Sequence, residues 1–182
     1  MPRYVALLRA INVGGHNVKM EELRRQFERL GLSNVETFIA SGNVLFDAKS
    51  SSVSALEHKI EAGLRTALGY EVATMVRSGE EMARIAKHQP FAPARVDSAT
   101  TFNVGFMPAP LDAAAKKKLL ALQTGHDDLH TRDREVFWLC QTRMSESALF
   151  KISFEKVLGC RMTVRNRNTV TKLAGKFISP GS

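Results

Sequence analysis

Apolar residues alternate along residues 3–11, so that Tyr4, Ala6, Leu8 and Ala10 point one way and Val5, Leu7, Arg9 and Ile11 the other. That period of two predicts a β-strand. After the loop "NVGGHN" the period changes. Met20, Leu23, Phe27 and Leu30 recur at helical spacing, with Gly31 at the position of a C-cap glycine. "NVETFIASGNVLFD" predicts two strands, 35–40 and 43–47, turning at Ser41, Gly42 and Asn43. Ser52 or Ser54 can cap a following helix whose buried stripe is Leu56, Ile60, Leu64 and Leu68, with Gly69 ending it. "YEVATMVRS" is then a strand and "GEEMARIAKH" a helix, while "QPFAPARVDSA" holds two prolines, shows no period and marks a boundary.

The second half repeats the order. "TTFNVGFMP" predicts a strand with Phe102, Val104 and Phe106 on one face, and a helix runs from about Leu111 to Leu122. "DDLHTRDREVFWLCQ" predicts a hairpin turning near Asp133 and Arg134. Ser145 is placed to cap a helix carrying Leu149, Ile152, Phe154 and Val157 and ending at Gly159. "CRMTVRN" is a last strand and "NTVTKLAGKF" a last helix, which Asn168 or Thr169 can cap. Two β-α-β-β-α-β units in tandem predict an α+β fold: two ferredoxin-like units with antiparallel sheets and helices packed on one face. The expected division is 1–92 for the first unit with its trailing helix, and 93–182 for the second unit with the C-terminal helix.

These segments also resemble a known family. "LLRAINVGGHNVKMEELRRQFERLG", "VETFIASGNVLF", "EKVLG" and "VRNRNTVTKL", in that order over about residues 4–175, are similar to the bacterial family catalogued as domain of unknown function 1697. The resemblance implies a two-part ferredoxin-like fold and no particular activity. Against the family pattern this chain has Ala10 for a usual glycine and Arg167 for a usual aromatic. Near "RMSESAL" it lacks the lysine of a usual Ser-Lys-Leu. Where those positions serve a shared ligand site, the resemblance implies that this chain binds a different ligand, or the same one more weakly.

Composition narrows the function classes. The 182 residues are 44% hydrophobic and 24% charged, a globular profile, with no apolar run long enough to span a bilayer. The start "MPRYVALLRA" lacks the long apolar stretch and small-residue cleavage site of a signal peptide, so a cytoplasmic location is expected. Cys140 and Cys160 make no CxxC pair and no zinc set, and Cys140, within "VFWLC", is expected to be a buried thiol. The net charge is +8, and residues 156–182 supply six bases (Lys156, Arg161, Arg165, Arg167, Lys172, Lys176) with no acid. Such a segment suits phosphate-rich partners, or is simply a solvated surface.

Three polar turns are the candidate chemistry. The first holds Asn12, Gly14, Gly15, His16 and Lys19 ahead of a helix, where backbone N–H groups can hold an anion. It matches neither GxxxxGK[ST] nor GxGxxG, and it is first a plain tight turn with Asn17 as helix cap. The second is Ser41-Gly42-Asn43, read chiefly as a hairpin turn, with Asn43 able to present its amide to a ligand. The third is Arg165, Asn166, Arg167, Asn168 and Thr169, whose two arginines suit recognition of phosphate or carboxylate. Arg9, set among apolar neighbours, needs a partner, either a ligand or Glu36.

No catalytic constellation is recognisable and no cofactor is implied. His126 and His130 flank Asp127 and Asp128, but on a strand rather than a helix they would not share a face as a metal pair. The expectation is a binding protein for a small anionic, phosphate-bearing ligand where the three turns converge. One alternative is a nucleic-acid-binding module using the basic C-terminal segment, although the aromatic RNA-recognition signature is absent. Another is a homo-oligomeric interaction protein pairing through open sheet faces.

Overall fold

A computed structural model describes residues 1–9, 11, 17–39 and 42–178. The chain forms β1 (Arg3–Leu8), α1 (Met20–Arg29), β2 (Ser33–Thr37), β3 (Asn43–Asp47), α2 (Val53–Leu68), β4 (Thr74–Ser78) and α3 (Gly79–Lys87). There follow α4 (Pro93–Ser98), β5 (Thr101–Phe106), α5 (Ala113–Leu120), β6 (Asp127–Arg132) and β7 (Glu135–Cys140). The chain closes with α6 (Phe154–Leu158), β8 (Thr163–Asn166) and α7 (Arg167–Gly175). The strands make two four-stranded sheets, ordered β2-β3-β1-β4 and β6-β7-β5-β8, and all six pairings are antiparallel. This is the tandem ferredoxin-like α+β arrangement that the element order predicts.

The compact units are Met1–Ala86 with Thr171–Ser182, and Lys87–Val170. The division thus falls six residues before the expected 92/93 boundary, and the chain from Thr171 groups with the first unit rather than the second. Packing of the C-terminal segment explains this: Lys176 binds Glu36 at 2.5 Å and sits 5.1 Å from the Phe38 ring centroid. Phe177 lies against Gly79, where an added Cβ would come within 2.7 Å of the ring. Gly79→Ala is therefore expected to cost about 1–3 kcal/mol by overpacking. Urea unfolding, with amide exchange over residues 172–178, measures it; unchanged stability and protection would refute the packing argument.

In the first unit Tyr4, Ala6 and Leu8 of β1, with Val44 and Phe46 of β3, bury against Leu23 and Phe27 of α1 and Leu56, Ile60 and Leu64 of α2. The expected strand 3–11 stops at Leu8, and Ile11 joins the same core as Leu8 instead of the opposite face, because the alternation ends with the strand. β2 begins earlier than expected and ends at Thr37; Ile39 then takes φ +49°, which ends extended pairing. Ser52 caps α2 by accepting the Ala55 N–H, and Gly69 closes it at φ +81°. Lys19, not Asn17, stands at the α1 cap position, without a side-chain bond.

β4 lies at a sheet edge, yet its alternate N–H groups are taken by carboxylates. Thr74 donates to Glu61 (3.0 Å), Val76 to Glu57 (2.9 Å) and Ser78 to Glu81 (2.8 Å). Side chains thereby occupy donors that would otherwise recruit another strand.

In the second unit Leu111, Ala115 and Leu119 pack with Leu129, Val136, Trp138 and Leu149. The β6–β7 hairpin turns at Asp133, at φ +50°, as predicted. Two expectations are corrected. The aperiodic "QPFAPARVDSA" contains helix α4, because Pro93 at its first turn needs no N–H partner. The single helix expected after Ser145 is two 3₁₀ turns (Met144–Glu146 and Ala148–Lys151) and short α6, capped by Ser147 and Ser153; Gly159 ends α6 at φ +72°. Both cysteines are free thiols and Cys140 is buried.

Candidate functional site

Asn12, Gly14, Gly15, His16 and Ser41 lie outside the described residues. Of the remaining first-unit candidates, Gly42 accepts the Leu8 N–H at 2.8 Å through its carbonyl. Asn43 is buried, and its amide donates to the carbonyls of Phe38 and Ile39 at 3.0 and 2.9 Å. That amide stitches the end of β2 to the start of β3. Arg9 is half-buried and its backbone N–H reaches Ala73. Glu36, its suggested partner, binds Arg3 at 3.5 Å as well as Lys176. Lys19 is exposed.

The segment from Arg165 to Thr169 belongs to the second unit. Arg165 turns back along its own strand: Nη1 donates to Thr163 Oγ1 at 2.8 Å and to the Val164 carbonyl at 2.9 Å. Burial pushes its pKa down to about 10. Asn166 Oδ1 accepts the Asn168 N–H at 2.8 Å, so Asn166 supplies the turn at the start of α7, the task expected of Asn168 or Thr169.

Arg167 does something different. β8 pairs with β5 so that Asn103 faces Asn166, and one further step in that register sets Arg167 opposite Phe102. The guanidinium carbon lies 4.6 Å from the Phe102 ring centroid, a cation–π contact. Phe91 meets Phe102 edge-on, with centroids 5.5 Å apart. These three side chains line a cavity of about 350 Å³ with Pro93 and Val96, and Gln89 and Asp97 add an amide and a carboxylate. Such a volume falls at the small end of the roughly 300–1,000 Å³ of small-molecule sites. Burial lowers the Arg167 pKa, the cost of holding a cation against aromatic walls.

A second cluster shares Phe91. A neighbouring cavity of about 280 Å³ is lined by Phe91, Gln123 and His130, with Arg95 held to Asp128 at 2.8 Å. Behind His130, His88 Nδ1 is 2.9 Å from Arg132 Nη1. Arginine only donates, so Nδ1 accepts and the imidazole proton resides on Nε2. That Nε2 is buried without a hydrogen-bond partner among the described residues. The His88 ring packs 5.2 Å from His130 and 4.9 Å from Phe137, centroid to centroid. Burial first, then the charges of Arg132, His130 and Arg167, hold His88 below the usual imidazole range, against the weaker pull of Asp133. Burial and Arg132 lower His130 as well.

The acid–histidine run 126–130 divides as its strand predicts. Asp127 points into the core and bonds Trp138 Nε1 at 2.9 Å, while Asp128 turns to Arg95. Among the described residues no group of three or more His, Cys, Asp or Glu could hold a metal ion.

The sequence profile of the family described as "Protein of unknown function (DUF1697)" matches residues 1–137. The chain belongs to this family. A conserved bacterial protein from Streptococcus pneumoniae has a similar solved structure, with a TM-score of 0.78 and 25% identity over 97% of this chain and 98% of that one. No curated protein matches. The likeness to the pneumococcal structure extends to the tandem α+β architecture. No helix of the described residues is long and apolar enough to cross a membrane.

Sequence reasoning identified Arg167 and missed Phe91, Gln89, Asp97 and His88. Gln89, Phe91 and Asp97 lie in "QPFAPARVDSA", which carries no period and reads as a boundary, and His88 ends the expected helix "GEEMARIAKH". The available signal was Phe91 itself, a large apolar residue between Pro90 and Pro93 in a polar stretch. The link to Phe102 depends on a register that no local pattern encodes.

Proposed function

We propose that this protein binds a small anionic, phosphate-bearing molecule in the Phe91–Phe102–Arg167 cavity of its second unit. The observation that carries this reading is the stacking of Arg167 on Phe102 at the cavity wall. The contact holds a guanidinium, a planar donor suited to phosphate or carboxylate, at the wall of the cavity. Arg132 adds to the positive field on the same unit, while the two histidines beside it are held toward the neutral form.

This reading is narrower than the expected convergence of three turns, since it uses Arg167 alone of those candidates. It also bears on the nucleic-acid alternative. Arg165 folds back on Thr163 and Lys176 binds Glu36, so these two of the C-terminal bases are engaged within the chain. Counterion release needs bases that meet phosphates along a strand.

Thermal-shift and calorimetric titration with phosphorylated metabolites test the proposal. Arg167→Ala is expected to weaken binding about 10- to 100-fold, the equivalent of a charged hydrogen bond worth about 1.5–3 kcal/mol. Phe102→Leu is expected to weaken it less, by releasing the guanidinium from its ring. Affinity unchanged in Arg167→Ala would overturn the reading. So would oligonucleotide binding that falls steeply with salt in the absence of any small-molecule saturation.

A further inference from the structure

The cavity holds two polar groups that the anion reading does not use. Asp97 and Gln89 line it, and neither has a hydrogen-bond or ion-pair partner among the described residues. The walls between them are aromatic or flat: Phe91, Pro93 and Phe102. A phosphate alone would gain nothing from those walls and would be repelled by the Asp97 carboxylate. The site therefore combines a cation, an anion and aromatic surface in about 350 Å³. That combination matches a ligand with a planar ring at one end and a negative charge at the other.

The carboxylate narrows the ring. An ionised carboxylate accepts only, and it offers two oxygens side by side. Two adjacent N–H donors on one ring edge satisfy both at once. Among the common bases, guanine presents that pair, from ring N1–H and the exocyclic N2 amino group. Adenine and cytosine set an acceptor beside their amino group, which would face the carboxylate with like polarity. Gln89, whose amide both donates and accepts, suits the guanine carbonyl next to that pair. Resting on the anion reading above, we infer that the ligand of this cavity is a guanine mononucleotide, with the base against Phe91 and Asp97 and the phosphate toward Arg167.

Isothermal titration of the full chain with GMP, IMP, AMP and ribose 5-phosphate decides it. The expected order is GMP tightest and IMP weaker for want of the N2 amino group, with AMP and ribose 5-phosphate weaker still. Asp97→Asn is expected to reduce GMP affinity about 10- to 100-fold, as for the loss of a charge-assisted hydrogen bond. Ribose 5-phosphate, which has no base to meet that carboxylate, should bind the variant no more weakly than wild type. Asp97 is exposed on α4, and matching circular dichroism of the variant verifies its fold. Equal affinity for all four compounds, lost in Arg167→Ala, would overturn the guanine assignment and leave the anion site standing. GMP affinity indifferent to Asp97→Asn would overturn it too. No binding of any of the four would overturn both readings.

Discussion

Asp127→Ala is expected to destabilise the second unit by about 3–5 kcal/mol, the scale expected when several donors lose one buried carboxylate acceptor. Asp127 is 1% exposed. Its Oδ1 accepts from Trp138 Nε1 at 2.9 Å and from Ser147 Oγ at 2.8 Å, and its Oδ2 accepts from Thr124 Oγ1 at 2.8 Å. The carboxylate thus ties the α5–β6 loop, β7 and the 3₁₀ turns into one core. Alanine would orphan three donors in an apolar interior, each at about 1–3 kcal/mol before relaxation. Asp127→Asn should cost less, because an amide oxygen still serves Trp138 and Ser147. Its NH₂ would face a Thr124 hydroxyl that already accepts from the N–H groups of His126 and Asp127. Urea unfolding followed by fluorescence of Trp138, the one tryptophan of the chain, reads both variants. Stability of Asp127→Ala within about 1 kcal/mol of wild type, an ordinary surface-mutation effect, would refute the network.

The same residue sets a pH dependence. Burial alone would raise the Asp127 pKa, but hydrogen bonds from Trp138, Thr124, Ser147 and Cys140 outweigh it and hold the carboxyl below its ordinary 3.8. A folded-state pKa below the unfolded one means the unfolded chain binds the proton first. Its contribution is therefore complete above the unfolded value and is lost as pH falls from there through the folded pKa. Wild type and Asp127→Asn should accordingly converge in stability as pH falls below 3.8 and differ most near neutrality.

Glu57→Ala carries the second large effect, about 3–5 kcal/mol, as expected when a buried cation loses an anionic partner. Arg77 is fully buried on β4, and Glu57 of α2 lies 3.9 Å away with 7% exposure. The same carboxylate oxygen accepts the Val76 N–H. Alanine removes both the counter-charge and the acceptor that occupies the sheet edge. Glu57→Gln separates them, since its amide oxygen keeps the Val76 bond while the charge is lost. An alanine variant losing much more stability than the glutamine one would assign most of the effect to the backbone acceptor; similar losses would assign it to charge. A loss under about 1 kcal/mol in Glu57→Ala would show that the pair contributes little to the fold.

The elements were legible wherever their cause is local. Leu56, Ile60 and Leu64 repeat every four residues, and Ser52 and Gly69 end that helix as expected. Asp133 and the alternation on either side of it define the β6–β7 hairpin. Errors came where a neighbour in space outvotes a neighbour in sequence. Ser145 is a sound cap in isolation, but Ser147 bonds both Asp127 and the Leu149 N–H, and that buried pairing sets the turn two residues later. Asp127 itself, within "HDDLH", resembles a surface acid until the strand turns it inward toward Trp138.

The candidate site divides the same way. Residue types and their periods were enough for two antiparallel α+β units, because burying one face of each strand and helix leaves few ways to pack that element order. They were enough, too, to single out Arg167 as a charge near a helix start. Phe102 stands 65 positions earlier, and only the β5–β8 register brings its ring beneath that guanidinium. Phe91, Gln89 and Asp97 line the same cavity from α4 and the segment just before it. A cavity is space enclosed between distant segments, and its chemistry arises only when tertiary packing sets their side chains around one volume.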